Sequence, residues 1–424
     1  MTVPSGRNGS NSMGPQVMSG FLNKDYLYGV NILVSGGAQA FRWHEPTNSY
    51  ETIDLSAVAG NHLDLPLFDS MDDHYGLALG VDDQDRLFVA GNNHENLSGR
   101  DGGPPTTTHI LVCNNVNAFA NPASWAAALT THLSPLSEVA GALPGVYTYH
   151  LFERMTDGTL LHFLSQSEKR TDTQGRDYLA FKRRAGAWSS VLSSGGHFAT
   201  TIDGPSTEAD RVYVCGLYVQ PNGAGVGVDR VHVYGIWRTN DDDGESQQAP
   251  WYIYSDDLTT WKYKADPVDG VQSMPITWSN RSSAEITADF SRSFRQGVFV
   301  DPSTGRPSVI VRNAGVDEFR RYEWTGSAWA FTTIVSALTG EYRDFLVKGQ
   351  RWMRAHRAGR IVLRRVSDNA TVRIGGRVTT VTDKFSAWPC PVWLRERGVF
   401  AVNVPVGNTT QVCTFGKGAR LNKP

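Results

Sequence analysis

Two histidines, His74 and His94, stand on either side of a run, LALGVDDQDRLFVAG (77–91), that reads as one β-hairpin. An antiparallel pair brings its two ends together, so both imidazoles can line one face. Imidazole titrates near neutral pH and suits proton transfer there; for either residue alone, a hydrogen-bonded structural histidine is the competing reading. A tyrosine hydroxyl can donate a proton, and the next aromatic run, GVYTYHLF (145–152), holds Tyr147 and Tyr149, either of which reads equally as a packing aromatic. An arginine fork matches a carboxylate. The arginines at hand are Arg170, beside Lys169 in a run that reads equally as a solvated turn, and Arg238, after Trp237 in GIWR, which reads equally as a strand end. Asn93, with Asp72, Asp73, Asn92 and Glu95, can hydrogen-bond hydroxyl groups or, equally, cap and build turns. The set amounts to acid–base chemistry beside an anionic, hydroxyl-rich ligand.

The elements that must position these groups are strands. Three runs are nearly alike, DRLFVAG (85–91), DRVYVCG (210–216) and DRVHVYG (229–235). Looser relatives are LYGVNILV (27–34), GTLLHFL (158–164), GRPSVIV (305–311), GRIVLRR (359–365) and GVFAVNV (398–404). In each, Gly or Asp turns the chain and a β-branched, aromatic run follows, as a pleated buried strand requires. A second element is a turn leading to tryptophan, in GAW (186–188), TTW (259–261) and GSAW (326–329), read as outer-strand hairpins. Repetition at tens of residues with short strands and turn-rich joints predicts a propeller rather than a solenoid. The copies at 210 and 229 are too close to head separate blades and are read as one hairpin. That leaves seven leading strands, near residues 27, 85, 158, 230, 305, 359 and 398, and so an all-β single propeller of seven four-stranded blades.

The expected division is a polar arm at 1–20, the propeller at 21–415 and a short basic tail at 416–424. The best helical candidate, Ala123 to Leu129, is short. Cys113, Cys215, Cys390 and Cys413 show no metal-binding spacing and are expected to be buried thiols, with a disulfide left open. A formal net charge of -2 gives no reason to expect nucleic acid or an anionic membrane as partner. The N-terminus lacks the apolar core of a secretory leader, and no later run approaches a membrane span. Either a leader has been removed or the protein leaves its cell another way, as a virion component does on lysis.

Four segments together resemble the BNR-repeat family of propellers that includes ulvan-lyase-type polysaccharide lyases. They are DSMDDHYGLALGVDDQDRLFVAGNNHE (69–95), GVYTYHLFERMTDGTLLHFLSQ (145–166), RVHVYGIWRTNDDDGESQQAPWYIYSDDLTTW (230–261) and RQGVFVDPSTGRPSVIV (295–311). They occur in the family's order, and the likeness runs from about residue 25 to 410. The run Ser255 to Trp261 resembles a sialidase-style Asp-box that is one residue short and lacks its Gly; such boxes shape a rim turn and are not sites. By this resemblance His74 is the base, Tyr149 the acid, and His94 a carboxylate or sugar contact. The family's arginine falls on Ser165, which cannot neutralise a carboxylate, and without it an enolate-like intermediate loses its main stabilisation.

The favoured reading is therefore an extracellular or virion-associated propeller that recognises a cell-surface glycan, such as a phage tail protein meeting host polysaccharide alongside other tail proteins. The alternative is a lyase cleaving uronate-containing polysaccharide by β-elimination, with arginine supplied from elsewhere. A structural tail propeller without ligand is a third. No cofactor or metal is expected, and structural Ca²⁺ is left open; no phosphate loop, HExxH motif or serine elbow is present.

Overall fold

The computed structural model describes residues 2–3, 17–32, 38–59, 77–91, 110–127, 145–168, 176–192, 197–200, 211–238, 247–264, 270–287, 297–301, 303–313, 318–334, 339–347, 350–357, 360–367, 371–374, 400–406 and 409–415. These residues form strands joined by turns and short 3-10 segments, with no α-helix among them. After β1 (Thr2–Val3), the first meander holds β2 (Val17–Ser19), β3 (Tyr26–Ile32), β4 (Ala38–His44) and β5 (Ser49–Asp54). The second holds β6 (Leu77–Val81), β7 (Leu87–Gly91), β8 (Ile110–Cys113) and β9 (Trp125–Ala127). The third holds β10 (Gly145–Arg154), β11 (Leu160–Glu168), β12 (Arg176–Arg184) and β13 (Ala187–Ser190). The fourth holds β14 (Arg211–Gly225), β15 (Val228–Arg238), β16 (Gln247–Ser255) and β17 (Trp261–Tyr263), with β18 (Gly270–Val271) on its edge.

The fifth holds β19 (Val298–Val300), β20 (Pro307–Asn313), β21 (Glu318–Trp324) and β22 (Trp329–Ile334). The sixth holds β23 (Thr339–Val347), β24 (Gln350–Arg357), β25 (Arg360–Arg365) and β26 (Thr371–Ile374). Last come β27 (Phe400–Val406) and β28 (Thr409–Phe415), and β1 pairs with β28 to complete that sheet from the other end of the chain. A parallel bridge, Arg176 to Arg211, joins the ladders of the third and fourth meanders into one nine-stranded sheet. First strands pack in series, β2 on β6, β6 on β10, β10 on β14, β14 on β19 and β19 on β23, while β27 lies against β2. This is a β-propeller. The seven-blade count remains an expectation from the repeats.

Of the seven runs expected to lead, only GVFAVNV does so, as β27; GRIVLRR forms β25, a third strand, and the other five are second strands. DRLFVAG, GTLLHFL, DRVHVYG, GRPSVIV and LYGVNILV form β7, β11, β15, β20 and β3, each the second strand of its meander and not the leading one. The Gly or Asp before them belongs to the tight first turn, whereas the leading strands follow long connections with no fixed turn chemistry. The pairing of the copies at 210 and 229 as one hairpin is observed in β14 and β15. The helical candidate fails: residues 122–124 are a 3-10 turn and 125–127 are β9, because Trp125 must reach the core and donates its indole N–H to the Phe119 carbonyl. Within the stretch set apart as an arm, β1 and β2 both join sheets, and Val17 and Met18 are buried. Cys113 and Cys215 are buried free thiols.

Alternation along β11 divides the core. Leu160 and Leu164 join a cluster shared with the first two meanders, whereas Leu161 and Phe163 join one shared with the fourth and fifth. Trp188 and Trp261, from the tryptophan turns, are buried on outer strands as expected. Fully burying such rings contributes about 1.5–3 kcal/mol each or more.

Polar contacts lock neighbouring meanders at their tight-turn end. Arg183 and Asp82 form a 2.7 Å ion pair with side chains only 1% and 0% exposed. Arg154, also buried, donates to the Ser19 and Gly20 carbonyls of the first meander. Asp85 accepts the backbone N–H groups of Phe21, Leu22 and Asn23, and Asp229 accepts the N–H and hydroxyl of Thr156. Further round, Asp344 accepts from both Arg321 and Arg351. Burial opposes ionisation of Asp344, but the two guanidinium groups outweigh it and hold the carboxyl below its usual range.

Two buried imidazoles are held neutral. His150 and His162 share a 2.9 Å hydrogen bond, and His162 stacks on Phe152. Burial, then His150, pushes His162 well below its ordinary value; burial, then Arg230, does the same for His232. The unfolded chain binds these protons near pH 6.5 and the folded chain does not, so stability is present above that pH and is lost as pH falls below it. The thermal midpoint should be flat above about pH 7 and fall below about pH 6.5, with a shallower slope in His162→Gln plus His232→Gln; an equally steep slope in that variant would refute the assignment. Asp82→Asn leaves Arg183 buried without its counter-charge and should cost about 3–5 kcal/mol in denaturant titration.

Candidate functional site

The two ends of the propeller differ. One carries the connections from first to second and from third to fourth strands; the other, the open end, carries those between meanders. The Asp-box-like run lies at the tight-turn end, between β16 and β17. There the Ser255 hydroxyl donates to the Thr260 carbonyl and accepts the Leu258 N–H, while Asp257 accepts the N–H groups of Thr259 and Thr260. Partial burial works against the ionised form, but those amides prevail and draw the Asp257 carboxyl below the usual carboxylate range. The run closes a turn, as the sequence reading has it. A cleft of about 410 Å³ opens at this end beside Asp157, Arg184, Trp188 and Asp257. Its charges serve each other, Arg184 lying 3.4 Å from Asp157, and none of the candidate groups lines it.

His74, His94, Asn93, Arg170, Lys169, Asp72, Asp73, Asn92 and Glu95 lie outside the described residues. The strands that lead to them are described. Leu77 pairs with Gly91, so the segment bearing His74 enters and the segment bearing His94 leaves at one end of one hairpin. Gly145 pairs with Glu168, and the chain continues from there towards Arg170.

Tyr149 sits at a bulge in β10, between Thr148 and Leu151, with a positive φ of 53°. It is 6% exposed, and its ring packs edge-on against Tyr213 of the fourth meander at 5.6 Å. Tyr147 pairs with Gln166 in the same ladder. Ser165 is directly opposite Thr148 on one side and Tyr178 on the other. Its side chain is fully enclosed, and its hydroxyl makes no hydrogen bond among the described residues. The position that should carry the family's arginine is thus a small, buried residue within the sheet. Register brings it beside Tyr149 as the motif order requires.

Arg238 ends β15 and stands opposite Arg211, which in turn stands opposite Arg176. Arg211 hid inside the DRVYVCG repeat and Arg176 inside an unremarkable strand start, so only the register reveals the row. Also missed was a pair on the same meander, Asp177, nearly buried, with its carboxylate 3.5 Å from His197 Nδ1. Among the described residues no group of three or more His, Cys, Asp or Glu can hold a metal ion.

The model of a family described as "BNR repeat-containing family member" matches residues 40–337. The chain belongs to the BNR repeat-containing family. No curated protein matches the chain in sequence. Among solved structures, this BNR-repeat chain is similar to an ulvan lyase of a new polysaccharide lyase family, with a TM-score of 0.59 and 12% identity over 98% of this chain and 96% of that one. The same enzyme bound to -[GlcA(1-4)Rha3S]- gives a TM-score of 0.58, with the same identity and coverage. Identity this low speaks for the fold, and the BNR-repeat propeller is what it supports.

Because the Asp-box is a turn device, Asp257→Ala should lower stability by about 0.5–1.5 kcal/mol through lost hydrogen bonds, since solvent screens this exposed carboxylate. Denaturant titration checks this, and an unchanged midpoint would show that the turn closes without it.

Proposed function

We propose that the protein recognises a uronate-containing polysaccharide at the open end of the propeller. The observation that carries this is register: Ser165 on β11 pairs with Thr148, the residue before Tyr149 on β10, in the ladder from whose Gly145–Glu168 end the chain continues towards Arg170. The hairpin leading to His74 and His94 opens the same way. Support also comes from the fold it shares with an ulvan lyase whose structure holds -[GlcA(1-4)Rha3S]-. In this reading His94, Asn93, Arg170 and Arg238 contact the sugar and its carboxylate, and the setting is extracellular or on a virion, where such polymers are met. Detection of the chain in purified particles checks the virion setting.

A second reading is catalysis, favoured by one observation. A non-glycine residue with positive φ at a bulge stores backbone strain, and such residues cluster at active sites; Tyr149 is one. In β-elimination a base, His74, takes the proton beside the carboxylate. The freed electron pair forms the new C=C bond as the C–O bond to the leaving sugar breaks. The acid, Tyr149, protonates the departing oxygen.

Incubation with uronate-rich polysaccharides separates the readings. Retention of the polymer with no rise in ultraviolet absorbance from an unsaturated product is the expected result. A rise abolished by His74→Ala and by Tyr149→Phe establishes the lyase instead. Neither binding nor product across uronate-rich and neutral glycans sinks both.

A further inference from the structure

After β18 the chain runs through residues 272–287 and links two sheet edges. Near its start, Ile276 bridges Ala199, which itself bridges Tyr178 on the outer edge of β12. Near its end, Glu285 bridges Trp251 of β16; the Tyr252 N–H donates to the Ala284 carbonyl and the Ile286 N–H to the Pro250 carbonyl. Both contacts fall on the half of their strand nearer the open end.

The turn between them is braced by side chains. The Asn280 carboxamide oxygen accepts the Thr277 N–H and the Gln272 amide, and its nitrogen donates to the Ser273 and Pro275 carbonyls. A turn tied in this way is ordered before any ligand arrives, which lowers the cost of binding.

This turn presents Trp278 and, on the 3-10 segment Arg281–Ser283, Arg281. Trp278 is partly buried against the core of the third to fifth meanders, edge-on to Trp237 at 5.8 Å. Trp237 pairs with Gln248 at the open end of the β15–β16 ladder. The Arg281 guanidinium carbon lies 3.3 Å from the centre of the Trp278 ring, and its Nη1 donates to the Trp278 carbonyl. Arg281 is half-buried. Stacking occupies the face of a guanidinium and leaves its N–H groups directed outward in its own plane, the geometry that grips a carboxylate. The neighbouring acid is Glu285: burial raises its carboxyl above the ordinary value and outweighs the pull of Arg281.

Ser165, Tyr178, Ala199 and Ile276 are successive bridge partners, so the Ile276 backbone lies about 14 Å outward from Ser165, at about 4.8 Å per step. A polymer with one sugar at the Tyr149–Ser165 ladder can therefore reach this turn with a sugar a few residues along.

We propose that Arg281, held flat by Trp278, binds the carboxylate of an outlying uronate residue of the polymer. This rests on the glycan reading above and adds a second point of contact, between the outer edges of the third and fourth meanders.

The test uses the full chain in titration calorimetry with a uronate disaccharide, a uronate hexasaccharide and the hexasaccharide with its carboxyl groups reduced to alcohols. Wild type should bind the uronate hexasaccharide most tightly and lose that preference as salt rises. Arg281→Ala should weaken its binding about 3- to 10-fold, as expected for a half-exposed charge-assisted contact, and leave the other two probes unchanged. Arg281→Lys, which keeps the charge and loses the fork, should retain part of the affinity; a thermal midpoint near wild type then assigns the loss to binding and not to folding. Glu285→Gln should tighten the uronate hexasaccharide, because a competing carboxylate is gone. If both Arg281 variants bind the uronate hexasaccharide as wild type does, the subsite is wrong and the glycan reading stands. Equal weakening of the disaccharide would overturn the outlying position. If wild type binds none of the probes, both proposals fall.

Discussion

Arg183 and Asp82 meet in the interior between the second and third meanders, where neither has water to fall back on. A buried pair of this kind adds little net stability, because the desolvation of both ions consumes most of their attraction. What it imposes is uniqueness: any other packing of these two meanders strands a charge. Asp85, Asp229 and Asp344 repeat the device at other junctions with different partners, backbone amides in the first two and paired arginines in the third. All of these clasps belong to strand starts and turns at one end. The hydrophobic faces supply the driving force, and the clasps fix how each sheet lies on the next. The opposite end is released from structural duty and can carry long, variable connections.

That division explains what could be read from the sequence. The repeat DRLFVAG is legible because its Asp has a fixed task at a tight turn and its apolar run has a fixed depth. It reports the second strand, since the first strand begins after a connection that obeys no local rule. The tryptophan turns were legible for the same reason, each indole having one place to go on an outer strand. Ala123 to Leu129 was misread because an alanine run has helical propensity, and Trp125, anchored to Phe119, overrides it.

The candidate site was legible as a list and illegible as an arrangement. Tyr149 and Ser165 are sixteen positions apart in sequence, and motif order alone links them; the β10–β11 register makes them neighbours. The register that aligns Arg176, Arg211 and Arg238 was likewise hidden, since it depends on a parallel bridge between separate meanders. At 12% identity to the ulvan lyase the propeller outlasts its residues.

The last sheet borrows its edge from the far end of the chain, with Thr2 opposite Gln411 and Val3 opposite Thr410. In that antiparallel arrangement the outward-leading ends of β1 and β28 lie on the same side. Tension applied between the two ends of the molecule would therefore peel the ladder one pair at a time, as a zip opens, and would not load the hydrogen bonds together in shear. The closure of the ring is in this way soft against pulling.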